Sequence, residues 1–220
     1  MITAWMNSHL LTFLVFAPLF WGLVVLLLPE RHAPLAKLLG FLGALGVFVI
    51  AAFQLLRLAP DADGLLFIER ALWFTAAGIP VEYHLALDGL NLWLVVLTVF
   101  LVPVTLLGTW NSLQRKPGSA IGLFLILESA MLGALVAQDL LLFYLFWEAM
   151  LIPMYFLIGV WGGEDRTYAA NKFMLYTLAG SLLWLVALLF VARKAGSFAP
   201  ALMAQAAQAL PAGTQGMLFL

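Results

Sequence analysis

The sequence predicts an all-α integral membrane protein with six transmembrane helices and the start of a seventh. Of its 220 residues, 65% are hydrophobic and 10% are charged. Soluble domains are about half apolar and one-quarter charged, so a globular core of this size could not bury so much apolar surface. A helix needs roughly 20 apolar residues to cross a bilayer core, and six runs in the sequence are close to that length. Lipid is therefore the expected solvent for much of the chain.

The six apolar runs are expected to form helices within one membrane domain. They cover residues 10–28, 38–56, 90–107, 121–137, 140–160 and 173–192. No small-residue cleavage site follows the first run, so we interpret it as a retained helix rather than a signal peptide. A seventh run begins near residue 216 and is cut off at Leu220. We therefore expect the natural polypeptide to continue.

The connections between the runs predict an orientation. One set of short loops carries six basic residues, and the other set carries four. The positive-inside rule places the richer set in the cytoplasm and the N-terminus outside. The long connection 58–88 then lies on the outer face. Its two apolar stretches flank a turn-like Gly78-Ile79-Pro80, which can form a short hairpin. The six basic residues are Arg31, Lys37, Arg115, Lys116, Arg166 and Lys172.

Several kinds of site are not expected. The chain has no cysteine, which excludes disulfides and iron–sulfur ligation by this chain. Its three histidines, His9, His32 and His84, do not occur at metal-ligand spacing. No basic run indicates a nucleic-acid partner.

Two carboxylates, Glu128 and Glu148, stand inside apolar runs. An ionisable residue at that depth is costly and usually faces a polar interior or an ion pathway. Each lies about ten residues from the Gln138-Asp139 turn, which places both roughly 15 Å deep on adjacent antiparallel helices. They can share protons if their faces turn toward one another. The alternative is that each is a neutral group that bonds two helices together.

The fifth run contains a polar seam around Glu148. Tyr144, Glu148 and Tyr155 lie at helical spacing on one face, where they can hold water. Pro153 cannot donate to the carbonyl of Ala149, so it can act as a hinge or merely bend the helix for packing. The tyrosines can equally be interfacial anchors.

Other charged residues have simpler interpretations. Lys172 at the start of the sixth run shares a face with Tyr168 and Tyr176, and it is expected to snorkel to the cytoplasmic surface. A role in proton entry is the minority interpretation. Asp88 and Asp139 each precede a helix, where capping accounts for them.

The run from Asp139 to Gly163 resembles the antiporter-like membrane subunits of respiratory complex I, through its Phe146-Trp147-Glu148 and Pro153. Among these subunits, it is most similar to the family of subunit M and mitochondrial subunit 4. His84–Leu90, Lys172-Phe173, Tyr176-Thr177 and Gly180-Ser181 agree with it. The resemblance covers the third to sixth runs well and the first two loosely. It is shared with Mrp-type cation/proton antiporters and membrane-bound hydrogenases.

The resemblance implies a proton-translocating subunit of an NADH:quinone oxidoreductase in the bacterial inner membrane. Its fold would be the N-terminal part of a 14-helix protein with two inverted repeats, each holding half a channel. Glu148 matches the glutamate that the family needs for pumping, and the family pairs that glutamate with a lysine on helix seven, beyond this sequence. NADH, FMN, iron–sulfur clusters and quinone are expected in partner subunits, and other antiporter-like subunits are the expected neighbours. The alternatives are an Mrp-type sodium/proton antiporter or membrane-hydrogenase subunit, and a passive structural subunit.

Overall fold

The computed structural model describes residues 9–55, 64–76 and 78–219, which form helices and one two-stranded sheet. A one-turn 3-10 helix, Glu30–His32, lies between the first two α-helices. The elements in chain order are α1 (Leu10–Leu26), α2 (Ala33–Leu55), β1 (Leu66–Ala76), β2 (Ile79–Leu87), α3 (Asn91–Gly108), α4 (Pro117–Val136), α5 (Leu140–Trp161), α6 (Arg166–Ala195), α7 (Pro200–Gln208) and α8 (Ala212–Phe219).

Helices α1 and α4 approach each other most closely at two glycines. A Cβ atom on Gly22 would lie 2.8 Å from the carbonyl oxygen of Gly122, and one on Gly122 would lie 2.9 Å from that of Gly22. Small residues permit this backbone contact, which is a common way to pack helices in lipid. Helix α4 is therefore central, with α1, α2, α3 and α5 around it.

Strands β1 and β2 form an antiparallel hairpin between α2 and α3. The register is shifted between Leu66 and Glu69 and again between Leu72 and Phe74, which marks bulges in β1. The face of β2 that carries Val81, Leu85 and Leu87 is buried, because it packs against the helix ends. The hairpin lies within the connection predicted to sit on the outer face. Part of that connection, residues 58–63, lies outside the described residues.

The hairpin, the α4–α5 turn and the α6–α7 connection meet at one end of the helix bundle. The backbone N–H of Gln138 donates to the carbonyl of His84 at 2.8 Å, and that of Leu140 donates to the carbonyl of Phe198 at 3.0 Å. At the opposite end, Lys37 donates to the carbonyl of Trp110 at 2.6 Å. The connections therefore alternate between the two ends, as successive membrane spans require.

Five helical segments are long and apolar enough to span a membrane among the described residues: Glu30–Gln54, Asn91–Gly108, Pro117–Val136, Leu140–Trp161 and Arg166–Ala195. The apolar helix α1 has 17 residues, somewhat below the usual span length.

Helix α6 is longer than the predicted run 173–192 because its first turns are polar. It begins at Arg166 and extends for 30 residues. Hydropathy indicates where a helix enters the lipid. The backbone hydrogen bonds of the helix begin earlier, in the polar turns that precede the apolar run. Helix α8 likewise begins at Ala212, four residues before the predicted start near 216.

Candidate functional site

Glu128 lies on α4 and is fully buried at 0% exposure. Neither of its carboxyl oxygens has a hydrogen-bond partner among the described residues. The side chain borders a cavity of about 520 Å³ whose walls are almost entirely apolar, including Phe143, Trp147 and Met150 of α5. Burying a charged carboxylate without a partner is very costly, so Glu128 is expected to be neutral in this arrangement.

Glu148 lies on α5 and has a different environment. It is half-buried, and its Oε1 atom has no hydrogen-bond partner within the part of the chain that the structure describes. Tyr144, one turn earlier on α5, is 6% exposed, and its ring stacks on that of Trp184 of α6 at 5.7 Å. Glu148 therefore lies one helical turn from a buried tyrosine at the α5–α6 interface.

The two carboxylates share no hydrogen bond in the structure, because neither oxygen of Glu128 has a partner among the described residues. The sharing of protons that was expected if their faces turn toward one another stays a prediction. Three residues of α5 line the Glu128 cavity, Phe143, Trp147 and Met150, and Glu148, the immediate neighbour of Trp147, is not among them. Successive helical residues are rotated by about 100°, so Glu148 points to another side of the helix. Residue counting from the turn fixed the depth of each carboxylate, but it could not fix the rotation of the helices.

A second cavity, of about 420 Å³, lies between α5 and α6 and is lined by Trp147, the residue before Glu148. Its lining combines the aromatic side chains of Phe143, Trp147 and Trp184 with the hydroxyls of Thr177 and Ser181. Hydroxyls at a cavity wall can bind water, which an apolar wall cannot. The α5–α6 interface next to Glu148 therefore has both space and polar groups.

The polar seam predicted on α5, with Tyr144, Glu148 and Tyr155, is split into two parts in the structure. The Tyr155 hydroxyl donates to Oδ1 of Asn171 on α6 at 3.1 Å, about seven residues or 10 Å along the helix from Glu148. Tyr144 remains beside Glu148, whereas Tyr155 bonds near the start of α6. The seam therefore contacts α6 at two separate levels.

Pro153 is buried within α5, which continues through it from Leu140 to Trp161. Helices α1 and α3 also contain an internal proline, Pro18 and Pro103. A hinge at Pro153 stays a prediction, since a proline in three helices of this protein is compatible with ordinary packing.

Lys172 lies on the second turn of α6 and is exposed. Its Nζ atom lies 5.5 Å from the ring centre of Tyr168 and 5.9 Å from that of Tyr176. The predicted shared face is thus present, and the cation contacts aromatic rings instead of the Glu148 carboxyl.

The two aspartates expected to cap helices do so. Oδ1 of Asp139 accepts from the backbone N–H groups of Leu141 and Leu142 at 2.9 and 3.0 Å. Oδ1 of Asp88 accepts from those of Leu90 and Asn91 at the start of α3. These carboxylates are therefore engaged in local structure.

A polar pocket of about 320 Å³ lies at the hairpin end, above the start of α5. Its charged and titratable residues are Arg70, Glu82, His84 and Asp139. Arg70 pairs with Glu82 at 2.6 Å, and this interaction lowers the pKa of the Glu82 carboxyl. Burial is the main cause that lowers the pKa of His84.

Three polar residues of these sites were not among the sequence candidates: Ser181, Asn171 and Glu69. Ser181 on α6 lines the α5–α6 cavity, and Asn171 on α6 accepts from Tyr155, so only the packing of α5 on α6 identifies them. Glu69 belongs to the connection 58–88 predicted on the outer face, yet it is 9% exposed and binds the start of α1. Its position inside an apolar stretch was the available signal.

Residues 137–220 match the family model described as NADH:quinone oxidoreductase/Mrp antiporter, transmembrane. NADH-quinone oxidoreductase subunit M of Rickettsia typhi is 37% identical over 190 residues, which are 84% of this chain and 38% of the relative. NADH-ubiquinone oxidoreductase chain 4 of Arabidopsis thaliana is 34% identical over 185 residues, covering 84% of this chain and 37% of the relative. The resemblance inferred from the Trp147-Glu148 run is confirmed, and the chain spans less than half the length of these relatives.

Solved structures have the same fold. A chain of respiratory complex I from Thermus thermophilus superposes with a TM-score of 0.73 at 31% identity, covering 90% of this chain and 40% of that chain. A chain of the Mrp complex from Dietzia sp. DQ12-45-1b superposes with a TM-score of 0.75 at 23% identity, covering 92% of this chain and 22% of that chain. The second likeness concerns the fold alone.

Proposed function

Because the chain belongs to the family of antiporter-like membrane subunits, we propose that it translocates protons as part of an NADH:quinone oxidoreductase, with Glu148 as the acid that gains and loses the proton. The observation that carries this proposal is the arrangement at the α5–α6 interface. There a half-buried carboxyl stands in an apolar helix, and the adjacent Trp147 lines a cavity whose wall carries the hydroxyls of Thr177 and Ser181. Glu148 thus has a reason to hold a proton, and hydroxyls that can bind water lie in the neighbouring cavity.

The energies involved are of the right size for such a role. Moving one charge across the membrane potential is worth about 2.3 kcal/mol per 100 mV. Changing the proton affinity of an acid tenfold takes about 1.4 kcal/mol, the scale of one hydrogen bond gained or lost. A modest rearrangement around Glu148 is therefore sufficient to load and unload it against the membrane potential.

The proposal also covers the fold and the partner subunits. The six spans and a seventh would form the first part of a 14-helix fold, with the hairpin and the N-terminus outside. Electron transfer through flavin, iron–sulfur clusters and quinone would take place in partner subunits. Neighbouring antiporter-like subunits would transmit the energy to Glu148, and Glu128 and Lys172 would have secondary roles at most.

Replacement of Glu148 by Gln tests the proposal. In the complex that contains the full chain, Glu148→Gln should reduce proton uptake by inside-out vesicles at least tenfold, because the amide fills the same space but cannot carry a proton. Glu164→Gln, in the exposed turn before α6, is the matched control and should pump normally. Full pumping by an assembled Glu148→Gln complex would reject the proposal.

Mrp-type cation/proton exchange is the second candidate, because the matched family model includes both kinds of complex. Transport by the full complex would then depend on sodium and proceed without NADH. Proton uptake that requires NADH and is unchanged when potassium replaces sodium would exclude it.

A further inference from the structure

A pocket of about 410 Å³ lies at the end of the helix bundle opposite to the hairpin, between α2, the α3–α4 loop and the start of α4. Its polar and aromatic lining consists of Lys37, Gln114 and Trp110. Its apolar lining includes Pro34, Leu113 and Pro117. The pocket therefore combines one cation, one amide and one indole ring with apolar surface.

The ammonium group of Lys37 is held in place and retains hydrogen-bonding capacity. Lys37 is half-buried, and its Nζ atom donates to the carbonyl of Trp110 at 2.6 Å and lies 6.0 Å from the centre of the Trp110 ring. An ammonium group has three hydrogens, so two remain for another acceptor. No carboxylate pairs with Lys37 among the residues that the structure describes. A positioned cation is thus available to an anion in the pocket.

The surroundings of the pocket carry an excess of positive charge. This end of the bundle contains six basic residues and three acidic ones, and the acidic residues are Glu30, Glu164 and Asp165. Helix α4 begins at Pro117 without a side-chain cap, so the positive end of its dipole lies at the pocket. Both the net charge and the dipole favour an anion here.

We propose that this pocket binds the phosphate group of an anionic phospholipid, with Lys37 as the cation that pairs with the phosphate. Lysine binds phosphate as a point charge, and the Gln114 amide can donate a further hydrogen bond. Tryptophan is typical of the membrane interface, where lipid headgroups lie. Basic pockets between membrane helices are a known way to bind anionic headgroups. This inference is independent of the proposed function of Glu148.

The apolar lining distinguishes a lipid from a free phosphate ion. Both would use the Lys37 ammonium group, but only a lipid has a glycerol group and acyl chains that can contact Pro34, Leu113 and Pro117. Burial of this apolar surface stabilises the bound lipid and contributes nothing to the binding of the free ion.

Photolabelling of the full membrane complex tests the site. The complex is reconstituted in phosphatidylcholine vesicles that contain phosphatidylglycerol with a diazirine at the start of one acyl chain. Mass spectrometry then measures the labelled fraction of residues 33–37 and 110–117. Phosphatidylcholine with the same diazirine is the matched lipid. One lysine near the membrane surface changes the affinity for an anionic lipid about fivefold, so phosphatidylglycerol should label these segments about fivefold more than phosphatidylcholine.

Variants of the pocket assign this preference to Lys37. Lys37→Gln should reduce labelling by phosphatidylglycerol to the level of phosphatidylcholine, whereas Lys37→Arg keeps the charge and should keep the preference. Gln114→Glu places a negative charge in an exposed part of the wall, where folding is not at risk, and should also remove the preference. Lys194→Gln removes an exposed lysine at the hairpin end of α6 and should change nothing.

Inorganic phosphate separates the two sources of the anion. At constant ionic strength it should not reduce labelling by phosphatidylglycerol, because it lacks the acyl chains. Loss of labelling in phosphate would show that the pocket takes the free ion and would overturn the lipid assignment. Equal labelling by the two lipids in the natural complex, or a preference that survives in both Lys37→Gln and Gln114→Glu, would overturn the inference as well.

Discussion

At the scale of single residues, the Glu69 carboxylate fastens the hairpin to α1. Its Oε1 accepts from the backbone N–H of Leu11 at 2.7 Å, and its Oε2 accepts from that of Thr12 at 3.1 Å. The Thr12 hydroxyl also donates to Glu69 and contacts the hydroxyl of Tyr83 on β2. The first N–H groups of a helix need such partners, and a negative charge at this end also complements the helix dipole.

Removal of this carboxylate should loosen the junction between the hairpin and α1. Glu69→Ala leaves buried N–H groups of α1 without partners, which costs about 1–3 kcal/mol. Hydrogen exchange in β1 and the first turn of α1 should therefore accelerate by about tenfold to a hundredfold. Glu82→Ala in the same hairpin breaks a surface ion pair and should change exchange little. Equal exchange in the two variants would contradict this role of Glu69.

His84 should make the hairpin end sensitive to acid. Burial lowers its pKa in the folded protein below the value of 6.5 expected in an unfolded chain, with Arg70 adding to the effect and Glu82 and Asp139 opposing it. The unfolded segment therefore binds more protons as the pH falls through about 6.5, and stability decreases. Proteolysis of the hairpin should increase between about pH 7.5 and about pH 5.5, and this increase should be smaller in His84→Gln. If proteolysis of His84→Gln increased as much as that of the natural protein, another group would be responsible.

Glu148 could be identified from the sequence, whereas Ser181 could not. A carboxylate within an apolar run is costly whatever surrounds it, so the run itself marks Glu148 for attention. A serine in a membrane helix commonly bonds to its own helix, as Ser181 does with Leu178. Its place in the wall of the α5–α6 cavity depends on the rotation of α5 against α6, which one sequence does not specify.

At the scale of elements, the α1–α4 contact depends on glycine. A Cβ atom on Gly122 would lie 2.5 Å from Cγ of Leu26, in addition to its close approach to Gly22. Gly122→Ala should therefore separate the two helices and cost about 1–3 kcal/mol, seen as a lower thermal midpoint of the complex. Gly46→Ala on α2 is the matched control, because no atom of another described element lies within 4 Å of the added methyl group. A greater loss in Gly46→Ala would contradict the packing described here.

The existence of the helices was easier to predict than their ends. Each predicted run from residue 10 to residue 192 contains a helix, because a long apolar run has few alternatives in lipid. The ends depend on caps and on polar turns outside the lipid, as the early start of α6 at Arg166 shows. Two apolar stretches around a turn predicted the hairpin. They did not predict its bulges or the bond from Glu69 to the start of α1.

At the scale of the whole molecule, the helix bundle has polar ends and an apolar interior. The hydroxyls of Thr177 and Ser181 lie in that interior, in the cavity between α5 and α6. The α5 helix starts at the hairpin end under the Asp139 cap and carries Glu148 nine residues later, about 14 Å along its axis. Glu128, at a similar depth on α4, borders an apolar cavity and has no bonded partner among the residues described. Equal depth therefore does not give the two acids equal surroundings.

The most direct measurement is infrared difference spectroscopy of the full complex during turnover. We expect a carboxyl band that changes as Glu148 gains and loses its proton. This band should be present in the natural complex and in Glu128→Gln, and absent in Glu148→Gln. A band that persists unchanged in Glu148→Gln, or the absence of any carboxyl change during proton pumping, would contradict the account.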